Sequence, residues 1–332
     1  SSYRKTTPDV YGEGSFSVNE VPADKYTKEV KDSFAEYNDA AVVVLGRSGG
    51  ESSDLSTEKL ENGSTYLQID KNERDMLQMA CDNFDHVIVL LNTQNAMELG
   101  FLDEYDVDAA LWIGAIGETG AYAVGQALTG EVNPSGALVD TYAYDSFSAP
   151  SMANFGSFMF TNSSVDFGYS YMVYGEGIYV GYNYYETRYE DEVLGQGNAD
   201  TAEGATSGDA WDYAAEVSYP FGYGLSYTSF SYSELNVSEV YSGGKIQIRF
   251  KIKNIGKVSG AEIAQLYVCP NESDVIRSHI ELKGFQKIYL HPGEEKEVIL
   301  ELDERSFSVY DVEKKAFSML SGKYQICIGA SV

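Results

Sequence analysis

The sequence predicts an α/β domain built on a mostly parallel sheet, followed by an all-β sandwich. Three observations carry this prediction. Continuous apolar runs alternate with helical stripes in the first half of the chain, a tyrosine- and glycine-rich stretch breaks the composition near its middle, and turn-separated alternating strands fill the last third. The expected division is an N-terminal arm and lead-in helix over 1–40, an α/β domain over 41–228 and a β-sandwich over 229–332.

Residues 1–27 are polar, punctuated by Gly and Pro, and read as an extended arm, with a short helix over Lys28–Tyr37. The run Ala41–Leu45 reads as a buried strand that opens into the Gly/Ser loop GRSGGESSD. Asp70 with Glu73 three residues on makes a capping box, and Met76, Leu77, Met79, Ala80 and Phe84 carry the stripe of a helix of three to four turns. HVIVLLN, His86–Asn92, is a second apolar strand of the kind covered on both faces. A further β-α unit follows in DVDAALWIG and ETGAYAVGQALTG, where Gly130 can close the helix. A short edge strand is expected over Ala137–Tyr142, and residues 143–170 read as a long surface connection.

From Gly168 to Tyr189 there are eight tyrosines, and Ile178, Val180, Tyr182 and Tyr184 alternate as a strand would require. A Gly- and acid-rich loop over 191–216 separates this stretch from VSYPFGYGLSYTSFSY. Beyond it KIQIRFKIKN, AEIAQLYVC, HIELKGFQKIYL, KEVILEL and GKYQICIGA argue an antiparallel sandwich of about seven strands.

Composition excludes several functions. The chain has 332 residues, 43% of them hydrophobic, and a formal net charge of −28, so it can bury a large core and would repel a nucleic-acid backbone or an anionic membrane surface. Cys81, Cys269 and Cys327 have no metal or disulfide-framework spacing and read as buried thiols. His86, His279 and His291 are scattered and read as structural. No apolar run is long enough to span a membrane, and the opening on SSYRKTTPD, without initiator Met or signal peptide, reads as a piece of a longer protein.

Chemistry is expected first in the loop after Ala41–Leu45. Gly46, Gly49 and Gly50 let the chain fold away from the sheet, and Glu51 is the strong acid at its centre. On residue physics alone a solvated loop carboxylate is the commoner reading, since such groups far outnumber catalytic ones. A phosphate cradle is disfavoured, because no GK[ST] follows and Glu51 and Asp54 are acidic. Glu118 reads as a helix-capping carboxylate, Trp112 as core, and the Tyr179–Tyr189 tyrosines as packing rather than a sugar subsite.

Taken together, GRSGGESSD, HVIVLLN, NPSG at Asn133–Gly136, GIYVGYNYYET at Gly177–Thr187 and YPFGYGLSYTSFSY at Tyr219–Tyr232 resemble the non-barrel part of glycoside hydrolase family 3, the β-glucosidases and β-xylosidases. The resemblance runs from Ala41 to the end, and its most specific element is the pairing of GIYVGYNYYET with PFGYGLSYT. It implies an α/β sandwich and a fibronectin type III-like domain that accompany a (β/α)8 barrel supplying the aspartate nucleophile. It also implies that Glu51 is the general acid/base on a loop reaching over the barrel mouth, with Arg47, Ser48 and Asp54 ordering that loop or touching sugar hydroxyls. Leu55 stands where family members often carry Arg. The KHF-type and SDW-type barrel segments are absent from the sequence, so the nucleophile is expected outside this chain.

The resemblance implies retaining hydrolysis of a β-linked glucoside or xyloside, with no cofactor or metal and with the barrel of the same protein as partner. A polysaccharide-derived substrate and an acidic surface lean towards an extracytoplasmic or cell-surface setting. The first rival is a non-catalytic carbohydrate- or protein-binding module built on the same two domains. The second is a nucleotide-binding α/β domain with a β appendage.

Overall fold

The computed structural model describes residues 3–6, 18, 20–49, 55–60, 63–153, 155–160, 171–172, 174–189, 191, 195, 211–238, 244–271, 273 and 275–332. The chain divides into two compact units. One comprises Ser1–Val124, Tyr142–Ser146 and Met152–Gly175, and the other Gly125–Thr141, Phe147–Ser151 and Glu176–Val332.

In the first unit, β1 (Tyr3–Thr6) is followed by α1 (Lys28–Ser33), β2 (Ala41–Gly46), α2 (Lys71–Asn83), β3 (Val87–Asn92) and β4 (Ala109–Trp112). Strands β2, β3 and β4 form a parallel sheet with β3 central. This is the β-α alternation that the apolar runs imply. On β3, Val87, Val89, Leu90 and Leu91 are buried, so both faces are covered. The edge strand β2 differs. Val43 and Leu45 are buried while Val42 and Val44 are 47% and 52% exposed, so β-branching there fills one face only. Helix α2 begins at Asp70 with both halves of the capping box formed, and it buries Glu73, Leu77 and Ala80, one face at helical spacing.

Helix α3 (Ala121–Leu128) crosses from the first unit to the second, and β5 (Tyr142–Ala143), α4 (Pro150–Ala153) and β6 (Ser157–Phe160) follow. Strand β6 pairs antiparallel with β1, so part of the expected surface connection and part of the expected arm make a two-stranded sheet instead. The expected edge strand over Ala137–Tyr142 is also corrected, since only Tyr142–Ala143 is strand. Leu138 instead donates its N–H to the Tyr223 carbonyl and accepts from the Gly222 N–H.

In the second unit the alternation expected over 178–184 is overturned: Tyr182–Arg188 is helix α5. The buried residues are Tyr184, Tyr185, Thr187 and Arg188, a stripe at helical spacing, while Ile178 and Val180 lie exposed before the helix. Tyr184 and Tyr185 pack on the Trp211 ring, and the Arg188 guanidinium lies 5.5 Å over it. Period-2 alternation over four positions was too short to exclude a helix whose aromatic stripe needed a distant ring.

After α6 (Tyr213–Glu216) and β7 (Val217–Tyr219) come β8 (Phe230–Val237), β9 (Ile246–Asn254), β10 (Gly260–Pro270), β11 (Glu281–Leu290), β12 (Glu295–Leu302), β13 (Ser308–Asp311), β14 (Ala316–Met319) and β15 (Tyr324–Gly329). Two antiparallel sheets, β12–β9–β8 and β11–β10–β15, enclose one core of Ile248, Phe250, Ile252, Leu266, Val268 and Leu290 among others. The inward residues are the alternate ones of each strand, as sheet packing requires. The NPSG and PFGYGLSYT segments interlock beside this sandwich. Asn133 Oδ1 accepts from Ser226 Oγ and the Tyr227 N–H, at 3.1 and 2.9 Å, and Nδ2 donates to the Ser259 carbonyl at 3.1 Å. A Cβ on Gly224 would lie 2.5 Å from the Gly136 carbonyl oxygen, so two glycines in separate motifs allow one backbone crossing.

Candidate active-site edge of the parallel sheet

The carboxyl ends of β2, β3 and β4 are stitched together. Parallel register sets Gly46 beside Asn92 and Leu91 beside Trp112. The Arg47 N–H donates to the Asn92 carbonyl at 3.2 Å, and the Ile113 N–H donates to that of Leu91 at 3.0 Å. Side chains continue the seam. Asn92 Nδ2 donates to the Gly114 carbonyl at 2.5 Å and Trp112 Nε1 to the Thr93 carbonyl at 2.6 Å. Trp112 is 40% exposed, so it edges the sheet rather than filling the core.

Arg47, the first residue past β2, is the anchor of this edge. Its guanidinium meets Glu73 in a fork, with Nη1 to Oε1 at 2.7 Å and Nη2 to Oε2 at 2.8 Å. Nε donates to the Tyr66 carbonyl at 2.6 Å, Nη1 also to that of Gly46 at 2.8 Å, and Nη2 also to that of Gln68 at 2.6 Å. Five donors therefore have five acceptors. The residue is only 5% exposed, and a buried charge of this kind persists only when paired and fully hydrogen-bonded. Glu73 closes the arrangement. Its Oε2 also accepts the Asp70 N–H at 2.9 Å, so the capping-box carboxylate of α2 is at the same time the counter-ion of Arg47.

The anchor fixes the root of the loop that follows. The Ser48 N–H donates to Tyr66 Oη at 2.8 Å, and the Arg47 guanidinium carbon lies 5.7 Å from the centre of the Tyr66 ring. Gln68 links the root to a second carboxylate, since its Nε2 donates to Glu98 Oε2 at 2.8 Å while Glu98 Oε1 accepts from Ser146 N and Oγ. Beside it a cavity of about 410 Å³ is edged by Gln68, Arg74, Glu98, Asp103, Glu104 and Tyr144.

Of the residues singled out in the sequence, Glu51 and Asp54 lie outside the described residues. Ser48 is exposed and held through its main chain. Every guanidinium N–H of Arg47 is engaged within the chain, at the end of β2. Sequence reasoning missed Tyr66, Gln68 and Glu98 entirely, and saw Glu73 only as a helix cap. The Asp70-x-x-Glu73 spacing was the one available signal, because the Arg47 fork joins residues 26 positions apart.

Among the described residues no group of three or more metal-capable side chains occurs, and no helix is long and apolar enough to cross a membrane. The family profile described as the glycosyl hydrolase family 3 C-terminal domain matches residues 6–182, more than half of the chain. The chain belongs to glycosyl hydrolase family 3. The profile of the fibronectin type III-like domain matches residues 262–332 of this family member. Thermostable beta-glucosidase B of Acetivibrio thermocellus is 32% identical over 326 residues, which is 97% of this chain and 37% of that protein. The exo-α-(1→6)-L-arabinopyranosidase of Bifidobacterium breve is 28% identical over 95% of this chain and 36% of its own length. The structure of beta-glucosidase 3B from Thermotoga neapolitana in complex with α-D-glucose superposes with a TM-score of 0.73 at 29% identity, covering 94% of this chain and 38% of that one. The chain thus spans somewhat over a third of the length of these relatives.

Proposed function

We propose that this family 3 chain is the acid/base-bearing part of a retaining β-glycosidase, with Glu51 the general acid/base and an aspartate nucleophile on a (β/α)8 barrel outside the chain. The observation that carries this reading is the likeness of nearly the whole chain to beta-glucosidases whose own length is close to three times as great. The anchored root after β2 supports it, since an acid on a loop acts only if the residues leading to it are held. The proposed division keeps an arm and lead-in helix over 1–40, the α/β sandwich domain over 41–228 and the fibronectin type III-like domain over 229–332.

In the first step the aspartate attacks the anomeric carbon while the Glu51 carboxylic acid protonates the leaving oxygen. In the second the Glu51 carboxylate takes a proton from the water that opens the glycosyl-enzyme. Retention requires the two carboxyl groups to lie about 5–5.5 Å apart, so Glu51 works only with the barrel docked. Ser48 and Asp54 are assigned to the sugar side of the loop and Arg47 to its root. The substrate class is a β-linked glucoside or xyloside. The likeness to an arabinopyranosidase favours a second reading of the sugar, with the same acid and a different glycone.

The first test is hydrolysis of p-nitrophenyl β-glucoside and β-xyloside by the 332-residue chain, alone and with a barrel supplied. Activity only with the barrel is expected, and activity from the chain alone would require a nucleophile among its own carboxylates. In the complete enzyme Glu51→Ala is expected to slow hydrolysis of substrates with poor leaving groups about 10²–10⁴-fold, to spare the first step on activated aryl glycosides and to be rescued by azide. Equal loss on both substrate classes would remove the acid role.

A further inference from the structure

The face of the sheet β11–β10–β15 turned away from the sandwich core brings two sulfurs within 4 Å, beside the buried Tyr267. Cys269 on β10 lies opposite Gln325, and Cys327 on β15 lies opposite Tyr267, so the two thiols share one face as diagonal neighbours. Their Sγ atoms are 3.8 Å apart. Leu266 and Val268, which flank Cys269's side of the strand, turn the other way into the core. Cys269 is buried and Cys327 half-buried, so Cys327 is the more accessible residue of the two.

We propose that Cys269 and Cys327 form a thiol–disulfide exchange site, which takes a small organic disulfide and closes to an intramolecular bridge between β10 and β15. Cys327 attacks first. Its thiolate displaces one sulfur of the disulfide RSSR, forming a mixed disulfide at Cys327 and releasing one thiolate RS⁻. Cys269, deprotonated in turn, attacks the Cys327 sulfur and releases the second RS⁻. The protein gives up two protons and two electrons, RSSR accepts them as two RSH, and one S–S bond replaces another.

Two features support this order. The hydrogen bond with Cys269 holds the Cys327 thiol down to about 7 against the opposing effect of its burial, which favours Cys327 as the attacking sulfur. The third thiol, Cys81 on α2, is pushed up by burial, and its Sγ sits 3.5 Å from the Asp106 carbonyl oxygen. Closure to the usual S–S length of about 2.05 Å requires the two sulfurs to approach by about 1.8 Å, and because diagonal strand neighbours lie about 7–8 Å apart it also requires the backbone of β15 to move towards β10. The chain's net charge of −28 favours a neutral or cationic disulfide over an anionic one.

The test treats the full chain with cystamine and, separately, with bis(2-hydroxyethyl) disulfide, then counts alkylatable thiols and maps peptides by mass spectrometry. Of the three thiols one, Cys81, is expected to remain, with a peptide containing Cys269 bridged to one containing Cys327. Cystamine is expected to react faster than the neutral probe at low salt. In Cys269→Ala the mixed disulfide at Cys327 should persist, and in the untreated chain Cys327 should alkylate at least about tenfold faster than Cys81 at pH 7. Three alkylatable thiols after treatment, a mixed disulfide that survives on Cys327 in the unaltered chain, or a bridge to Cys81 would each overturn the proposal. The unaltered chain alone supplies these outcomes, so the proposal does not depend on the variant folding.

Discussion

The edge of the parallel sheet and the core between the two antiparallel sheets solve the problem of burial in opposite ways. At the sheet edge the buried residue is a charge, Arg47, held by Glu73 and three carbonyls. Between the two sheets of the sandwich the core cluster is aliphatic and aromatic; the buried Arg277, paired with Glu281 at 2.7 Å, lies on the connection before β11 outside that cluster, and ion pairs such as Arg249 with Glu297 lie on the surface. A buried ion pair is seldom a better source of stability than well-packed hydrocarbon, but it is directional. The difference teaches that the packed core contributes stability through volume, whereas the Arg47 fork fixes the position of the residues at the end of β2.

The strongest way to break that comparison is to remove one half of the pair. Arg47→Ala leaves Glu73 buried without its counter-ion and is expected to cost about 3–5 kcal/mol. Urea unfolding followed by Trp112 fluorescence in a Trp211→Phe background reads this, because Trp112 is bonded to the same sheet edge. The double variant Arg47→Met with Glu73→Leu is expected to lose much less than Arg47→Ala, since no charge is then left stranded. A cost below about 1 kcal/mol for Arg47→Ala would mean that the fork does not hold the strand ends.

The sandwich should respond to volume rather than charge. Leu290 has no exposed surface and lies in the shared core of the two sheets. Leu290→Ala is expected to cost about 3 kcal/mol, from lost transfer free energy and the cavity left behind, with little dependence on salt. Denaturation followed by circular dichroism at low and high salt tests this. A strong salt dependence would show that electrostatics reach the sandwich core and would blur the contrast.

The two regions also differed in how far the sequence disclosed them. The sandwich strands were legible because alternation in KIQIRFKIKN or KEVILEL is a local property that survives into the fold, as the burial of Ile248, Phe250, Ile252, Val298 and Leu302 shows. Strand β3 and helix α2 were legible for the same reason. Helix α5 was not, because its buried tyrosines are ordered by Trp211, more than twenty positions away. Neither was the pairing of β1 with β6, which joins segments more than 150 residues apart. At the candidate site the glycine loop and its acid stood out, whereas the acceptors that lock Arg47 are mostly main-chain carbonyls, to which residue identity gives no clue. The capping box was read correctly and yet incompletely, since a carboxylate with two oxygens can serve a helix end and a distant guanidinium at once.

The smallest expected effect sharpens the comparison within the first unit, at the opposite end of the same sheet. There the charge is exposed. Asp108 Oδ2 accepts the Val87 N–H at 2.8 Å, and the Asp108 N–H donates in return to the Val87 carbonyl at 2.9 Å, so the carboxylate caps the start of β3. The Val87 N–H, with His86 as a lesser partner, holds the Asp108 carboxyl below its ordinary range. A carboxyl depressed by folding contributes stability above its unfolded value of about 3.9, and that contribution is lost as pH falls through the lower folded value. The difference in urea midpoint between the unaltered chain and Asp108→Asn should therefore be constant above about pH 5 and shrink progressively below pH 4. A difference that did not change with pH would mean that the carbonyl-like oxygen alone matters and the charge does not. The sheet would then use charge at its carboxyl end, where the loop departs, and dispense with it at the end where β3 begins.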